Sequence, residues 1–361
     1  MRILHAMNHS ERLSGNVHAG VDLACAQAEM GHDVLLCSSG GDFDAVLSTS
    51  NVEHFIINQR RSVFTIMKAV FALRKLVKQR EIEIVHAHMM TSAVIAWAAT
   101  IFTNASLVTT THNAFERSSL LMGLGSRVIS VSDVVKDIMV ERGVARSRIR
   151  VVLNGTIGAA RLRNAPKIDA ELQSGSIMYI GGLHPRKGLP NLLRAYDQIY
   201  VSGSTPKLYV VGDGPQKDEY VALASKLASA PGIEFLGPTA WPLQLLKFAD
   251  IFVLPSLADP APLVIAEARE AGCAIVASDI DGIPEMLSHG NAGILVPPND
   301  IGRLAAAIER LVSNPNELRD WKAASQINID HLNIRRVAEE TLKIYQDLLP
   351  VRKMTVEAVA A

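Results

Sequence analysis

Short apolar runs alternate along the chain with longer amphipathic stretches. RILHAM, DVLLCS, EIVHAH, SLVTTTH and RVISVS are brief and rich in aliphatic residues, and helical patterns such as VHAGVDLACAQAEMG lie between them. Near-continuous apolar strands separated by helices predict a parallel sheet covered on both faces. After RIRVVLNGT the stretch 161–175 is polar, contains Pro166 and shows no period, so it is read as an interdomain linker. A second series then runs through SIMYIGG, KLYVVGDG, IEFLGP, IFVLPS, AIVASD and GILVPP, again with helices between. The spacing of Val337, Leu342, Ile344, Tyr345 and Leu348 predicts an amphipathic helix over 334–350, followed by a tail, 351–361. The expected fold class is α/β, with two doubly wound Rossmann-like domains, 1–160 and 176–333, facing each other across a cleft.

Length agrees with this division, since 361 residues exceed the roughly 250–300 at which single cores stop growing. Lys and Arg balance Asp and Glu at 36 each, so no strong nucleic-acid affinity is implied. Positive charge is nevertheless concentrated at Arg60, Arg61, Lys68, Arg74, Lys75, Lys78 and Arg80, interleaved with apolar residues. This stretch, near 60–80, reads as a basic amphipathic helix, either a solvated surface or a contact with anionic lipid. The three cysteines have neither pairing nor metal-ligand spacing, which fits a reducing compartment and gives no zinc site. The amino-terminal run is too short for a signal peptide, and the apolar stretch 93–102 falls well below the ~20 residues of a membrane helix. A cytoplasmic location, at most peripheral to the inner face of a membrane, is expected.

Open parallel sheets bind ligands beyond the carboxyl ends of their strands, which directs attention to the residues just after those runs. Gly15 and Asn16 follow the first strand, and both tolerate left-handed backbone, so the turn could bring N–H groups to an anion or be a plain tight turn. Arg186 and Lys187 in GGLHPRKG suit a diphosphate, or a solvated basic turn. In PSLADPAPLVIAEA, Asp259 precedes a helix whose first turn is expected to hold Pro262, with Glu267 one turn inside. Leu263 and Val264 then lie where that helix points its N-terminus at bound phosphates. His112 ends its strand facing the same cleft, able to bond a sugar hydroxyl, carry a proton, or serve structure. His86 and His88 are expected on opposite faces of their strand.

Taken together, GHDV, VHAH, the T-x-H ending at His112, LNGT, the glycine-rich turn with KG, VGDGP, LPS with its acidic pair, DGIPE and GILVPP resemble family 4 of the retaining glycosyltransferases. The resemblance spans nearly the whole chain. It implies a GT-B fold with the C-terminal helix returning to the N-terminal domain, a UDP- or GDP-sugar as donor substrate, no cofactor and no metal. It also implies transfer of a hexosyl unit, with retention, to a glycan or lipid-linked acceptor, as in polysaccharide or lipopolysaccharide synthesis. By matching position, Asp259 falls to the donor sugar, Glu267 to the ribose, Lys187 to the diphosphate, Gly15 and Asn16 to the donor and acceptor side, and His112 to the reacting sugar. The family usually has Glu at Asp259, Gly-Phe-Gly at Pro260–Pro262 and Arg at Gly182. These departures motivate a second reading, a catalytically degenerate subunit that binds a partner or glycan. The acidic pairs Asp42/Asp44 and Asp279/Asp281 are read as loop residues.

Overall fold

The computed structural model describes residues 1–12, 14–60, 62–163, 172–173, 175–201 and 205–349. Seven parallel strands form the first sheet: β1 (Arg2–Ala6), β2 (Asp33–Ser38), β3 (Glu53–Ile56), β4 (Ile84–Ala87), β5 (Ser106–Thr111), β6 (Arg127–Ser130) and β7 (Ile149–Val151), in the order β3-β2-β1-β4-β5-β6-β7. Six form the second: β8 (Ser176–Ile180), β9 (Leu208–Val211), β10 (Ile233–Gly237), β11 (Ala249–Leu254), β12 (Ala274–Ser278) and β13 (Ile294–Val296), in the order β10-β9-β8-β11-β12-β13. Burial explains the runs seen in the sequence: β4, β5, β8 and β12 are covered on both faces and therefore lack polar alternation. Strand order reverses between β1 and β4 and again between β8 and β11, and a crevice opens at each such point.

The segments singled out for chemistry sit at those reversals. Helix Gly15–Glu29 follows β1, the single turn Pro185–Lys187 follows β8, and helix Leu263–Ala271 follows β11. Helix Ile334–Gln346 is capped by the Asn333 side chain, which accepts from Arg335 N at 2.8 Å. Its buried face of Val337, Ala338, Thr341, Leu342 and Tyr345 returns to the first domain and packs on helix Gly15–Glu29. The Tyr345 hydroxyl reaches His86 Nδ1 at 2.5 Å.

Two expectations change. The linker was taken to begin as irregular chain at 161, but Ala160–Arg163 forms a helical turn whose Arg161 is buried in the first domain. The rest of that stretch, 164–171 and 174, lies outside the described residues, as does the tail. The basic segment does form a helix, Val63–Gln79, but its outer face is not simply cationic. It buries Ala69, Leu73, Leu76 and Val77, and exposes Val63 (80%), Phe64 (68%), Met67 (53%) and Phe71 (65%) beside Lys68, Lys75 and Lys78. Arg74 turns inward, donating to Ala99 O at 3.2 Å and to Ala98 O at the end of helix Met90–Thr100.

Candidate functional site

The carboxyl ends of both sheets face a shared cavity of about 530 Å³. That volume lies within the range of small-ligand sites. Every residue proposed from the sequence lines it: Gly15, Asn16 and His112 from the first domain, and Arg186, Lys187, Asp259, Leu263, Val264 and Glu267 from the second.

On the first-domain wall, Gly15 and Asn16 are the first two residues of their helix, after Ser14 at the N-cap. Neither adopts left-handed backbone, so glycine is not required there by a positive φ. A Cβ built at Gly15 would meet nothing within 4 Å, so packing does not require glycine there either, and the position opens onto the cleft beside the helix N-terminus. His112 stands immediately after β5, its Nε2 at 3.2 Å from His88 Nδ1. Burial pulls its imidazole down to about 4, and it is neutral at pH 7. His18, one turn into the first helix, is pulled to about 3 by burial and by the nearby Arg161 and Arg12.

On the second-domain wall, the turn Pro185–Lys187 ends at Gly188 with φ +67°. A Cβ at Gly188 would lie 1.9 Å from Pro255 O, so only glycine lets this turn close on the acid loop. The contact is used: Arg186 O accepts from Leu257 N at 2.7 Å and Ala258 N at 3.2 Å. The two cations have separate fates. Arg186 stacks across the cleft on Phe115, 5.2 Å from the ring centre, while Lys187 Nζ lies 2.5 Å from Asp259 Oδ2. Asp259 also accepts from Ser256 Oγ at 3.1 Å, and its own N–H donates to Asp281 Oδ2 at 2.6 Å. Asp281 is thus a loop residue that fixes the acid loop. Gly282 beside it has no room for a Cβ, which would stand 1.8 Å from Pro260 O.

Pro262 is the N-cap of helix Leu263–Ala271 rather than its first helical residue, with extended φ/ψ of −72° and 118°. Leu263 and Val264 form the first turn, where backbone N–H groups lack intrahelical acceptors and face the cavity. Asn154, in the LNGT segment of the first domain, donates from Nδ2 to Ala261 O at 3.0 Å and pins this loop from across the cleft. Glu267 is 3% exposed, with Oε1 held by Arg161 at 2.8 Å. Arg161 continues to Asp22 Oδ2 at 3.0 Å and Thr156 Oγ1 at 2.8 Å, so one buried guanidinium joins an acid of each domain. Burial raises both carboxyls while Arg161 opposes it; for Arg161, burial lowers the value, but the two carboxylates outweigh it and hold it above the ordinary arginine range.

Sequence reasoning missed Asp22 and Arg161, because an acid on an apolar helix and an arginine in an apparent linker have no pattern in common. It also misplaced the histidines. His86 and His88 are two apart, which on a strand means the same face, and their rings lie 4.2 Å apart between centres. His5, His86 and His88 bring ring nitrogens within 4.8 Å of one another, the geometry of a metal cluster. Each of these nitrogens already has a protein partner: Gln27 and His88 for His5, Tyr345 and Thr110 for His86, His5 and His112 for His88. The cluster is a closed hydrogen-bond network.

Comparison with known proteins follows the same division into halves. The model for Glycosyltransferase Family 4 matches residues 19–156, and that for Glycosyl transferases group 1 matches residues 162–327. Glycogen synthase of Mycobacterium tuberculosis is 28% identical, over 90% of this chain and 88% of its own. Phosphatidyl-myo-inositol mannosyltransferase of Mycolicibacterium smegmatis is 25% identical, over 76% and 73%. The crystal structure of Anabaena HepE in complex with UDP-glucose shares the fold at a TM-score of 0.81 and 18% identity, covering 96% of this chain and all of that one.

Proposed function

We propose, for a chain that belongs to the group 1, family 4-type glycosyltransferases and has their GT-B fold, transfer of a hexosyl unit from a UDP- or GDP-sugar to a hydroxyl of a glycan or lipid-linked acceptor. The observation that carries this reading is the convergence of Lys187, Asp259, Glu267 and an open helix N-terminus on one wall of a cavity whose opposite wall holds Gly15, Asn16 and His112. In this reading the N–H groups of Leu263 and Val264, with Lys187, take the diphosphate and stabilise charge on the departing β-phosphate. Glu267 accepts from the ribose and Asp259 from the sugar. The bond from the anomeric carbon to phosphate oxygen breaks, the acceptor oxygen bonds to that carbon on the same face, and its proton passes to the leaving diphosphate. No metal or cofactor enters this scheme. Support for a uridine donor comes from the UDP-glucose bound by HepE.

A panel of nucleotide sugars and acceptors, assayed for released nucleotide and for the product's anomeric configuration, tests the reading. Silence across the panel from folded protein overturns it. The degenerate-subunit reading draws on one observation, that Lys187 is already neutralised by Asp259 and Arg186 is stacked on Phe115. Calorimetry separates the two, since an enzyme binds UDP or GDP and loses affinity when Lys187 is replaced, whereas a degenerate subunit binds neither.

We further propose a cytoplasmic location with peripheral contact to the inner membrane face through helix Val63–Gln79, the alternative being a solvated surface helix. Among the described residues no helix is long and apolar enough to cross a membrane. Phe64, Met67 and Phe71 instead project beside Lys68 and Lys75, a combination suited to anionic lipid. Vesicles containing phosphatidylglycerol should retain the protein at low salt and release it at high salt. Equal retention of Phe64→Ser and wild type removes the helix from this role.

A further inference from the structure

We propose that His184 is a further basic ligand of the donor site, taking up a proton as a nucleotide sugar binds and donating a charge-assisted hydrogen bond to its diphosphate. This rests on the reading of the cleft as a nucleotide-sugar site.

His184, Arg186 and Lys187 stand on the one turn that follows β8, where the strand order of the second sheet reverses. Two of the three are engaged: Lys187 is bonded to Asp259, and Arg186 lies on the Phe115 ring. The His184 ring lines the cavity and has no hydrogen-bond partner among the described residues. Its place is set by the backbone, because His184 N donates to Gly182 O at 2.9 Å and folds the turn back over that glycine. A Cβ built on Gly182 would lie 3.0 Å from His184 Cδ2 and 3.7 Å from Nε2, so the imidazole occupies the space into which a side chain at 182 would grow.

The surroundings of this ring favour its neutral form. Burial, and then Arg186 and Lys187, lower His184 below the usual histidine range. The nearby acids are committed elsewhere: Asp213, on the loop after β9, accepts from Gly214 N at 2.8 Å, and Asp259 is paired with Lys187. Tyr179, at the end of β8, donates to Gly182 O at 3.2 Å, and burial pushes its hydroxyl up, so it stays uncharged. The charge that would balance an imidazolium therefore has to come from a ligand. Across the cleft, burial holds His112 at about 4 and His18 at about 3, both far below neutrality. Among the described residues lining the cavity, His184 is the histidine whose charge can change near pH 7.

A neutral ligand group such as a sugar hydroxyl leaves the repulsion from Arg186 and Lys187 in place and calls for no proton. A diphosphate reverses that repulsion and raises the affinity of the imidazole for a proton. Binding that takes up a proton tightens as pH falls, and each pKa unit gained by the ring on binding corresponds to about tenfold in affinity.

The test is calorimetry of the full-length chain with UDP-glucose and with GDP-mannose at pH 6 and pH 8, for wild type, His184→Gln and His184→Lys. The diphosphates of these sugars are esterified at both ends and do not titrate in this range. Glu267 and Asp281, whose carboxyls burial raises, are common to all three proteins, so the comparison between proteins isolates the ring. From pH 8 to pH 6 wild type should gain about tenfold in affinity beyond any change in His184→Gln. His184→Lys, charged throughout, should bind more tightly than His184→Gln at pH 8 and share its shallow pH dependence. Equal pH dependence in wild type and His184→Gln overturns the proposal. If His184→Gln fails to fold, proton uptake by wild type at pH 7, read from binding enthalpies in buffers of different ionisation heat, decides: uptake supports the proposal and its absence overturns it. Sugar binding that ignores pH refutes this proposal and leaves the nucleotide-sugar reading standing, whereas binding of neither sugar refutes both.

Discussion

Replacing Arg161 by methionine removes the one guanidinium between Asp22 and Glu267 while keeping a side chain of comparable reach. Asp22 and Glu267 are 1% and 3% exposed and Arg161 is 4% exposed, so solvent cannot take over the lost contacts. Three are lost: 3.0 Å to Asp22, 2.8 Å to Glu267 and 2.8 Å to Thr156. Breaking a buried pair by removing one partner typically costs about 3–5 kcal/mol, because the remaining charge stays buried and uncompensated. Burial already raises both carboxyls, and without the opposing guanidinium they rise further. A carboxyl raised on folding takes up a proton that the unfolded chain does not hold. Its stabilising protonated form is present at low pH and lost as pH climbs through the folded value. The deficit of Arg161→Met relative to wild type should therefore be about 3–5 kcal/mol at pH 8 and shrink toward pH 6. Urea unfolding of both proteins at matched pH gives the difference, and adding Glu267→Gln to the variant should recover part of it. A loss below about 1 kcal/mol at pH 8, or a deficit that does not vary with pH, would refute the argument that this guanidinium holds two buried charges.

Three other perturbations probe separate parts of the molecule. Asp259→Asn frees Lys187 from its 2.5 Å partner, so calorimetry should find UDP alone bound a few-fold more tightly, while discrimination among donor sugars falls; weaker UDP binding would contradict the pairing. Gly188→Ala forces a Cβ to 1.9 Å from Pro255 O at a φ of +67°, and should lower the melting temperature and weaken nucleotide binding together, with thermal shift and calorimetry as readouts. His5 is lowered from 6.5 to about 4 by burial, so its contribution is fully present above pH 6.5 and is lost as pH falls toward 4, about 3 kcal/mol in all. Urea midpoints that hold steady between pH 6.5 and 4.5 would show that the histidine is not buried neutral.

The strands and their order of appearance were legible because double-sided burial leaves an unbroken apolar run, as in SIMYI and AIVAS. Individual site residues were legible because the ends of parallel strands are where ligands bind, and His112, Lys187 and Glu267 all lie there. Their partnerships were not. Nothing local to Lys187 shows that it ends on Asp259, 72 positions away, or that Arg161 reaches Glu267, 106 positions away. Gly15 does line the cleft, but not through the left-handed backbone expected of it, since its φ is ordinary for a helix start. The exposed aromatics of Val63–Gln79 were hidden because an amphipathic count assigns every apolar residue to the buried side.

The attachment of helix Ile334–Gln346 to the first domain has a consequence for biosynthesis. The first sheet is complete once β7 has been made, yet Val337, Ala338, Leu342 and Tyr345, which complete the apolar cluster that holds Ile3, Met7 and Val21 and bring the tyrosine to His86, are made only later. At roughly 5–20 residues per second, the amino-terminal half waits on the order of ten to forty seconds at the ribosome before its own cover is translated. A nascent chain arrested before residue 334 should expose that groove to chaperones and proteases, and release from arrest should close it.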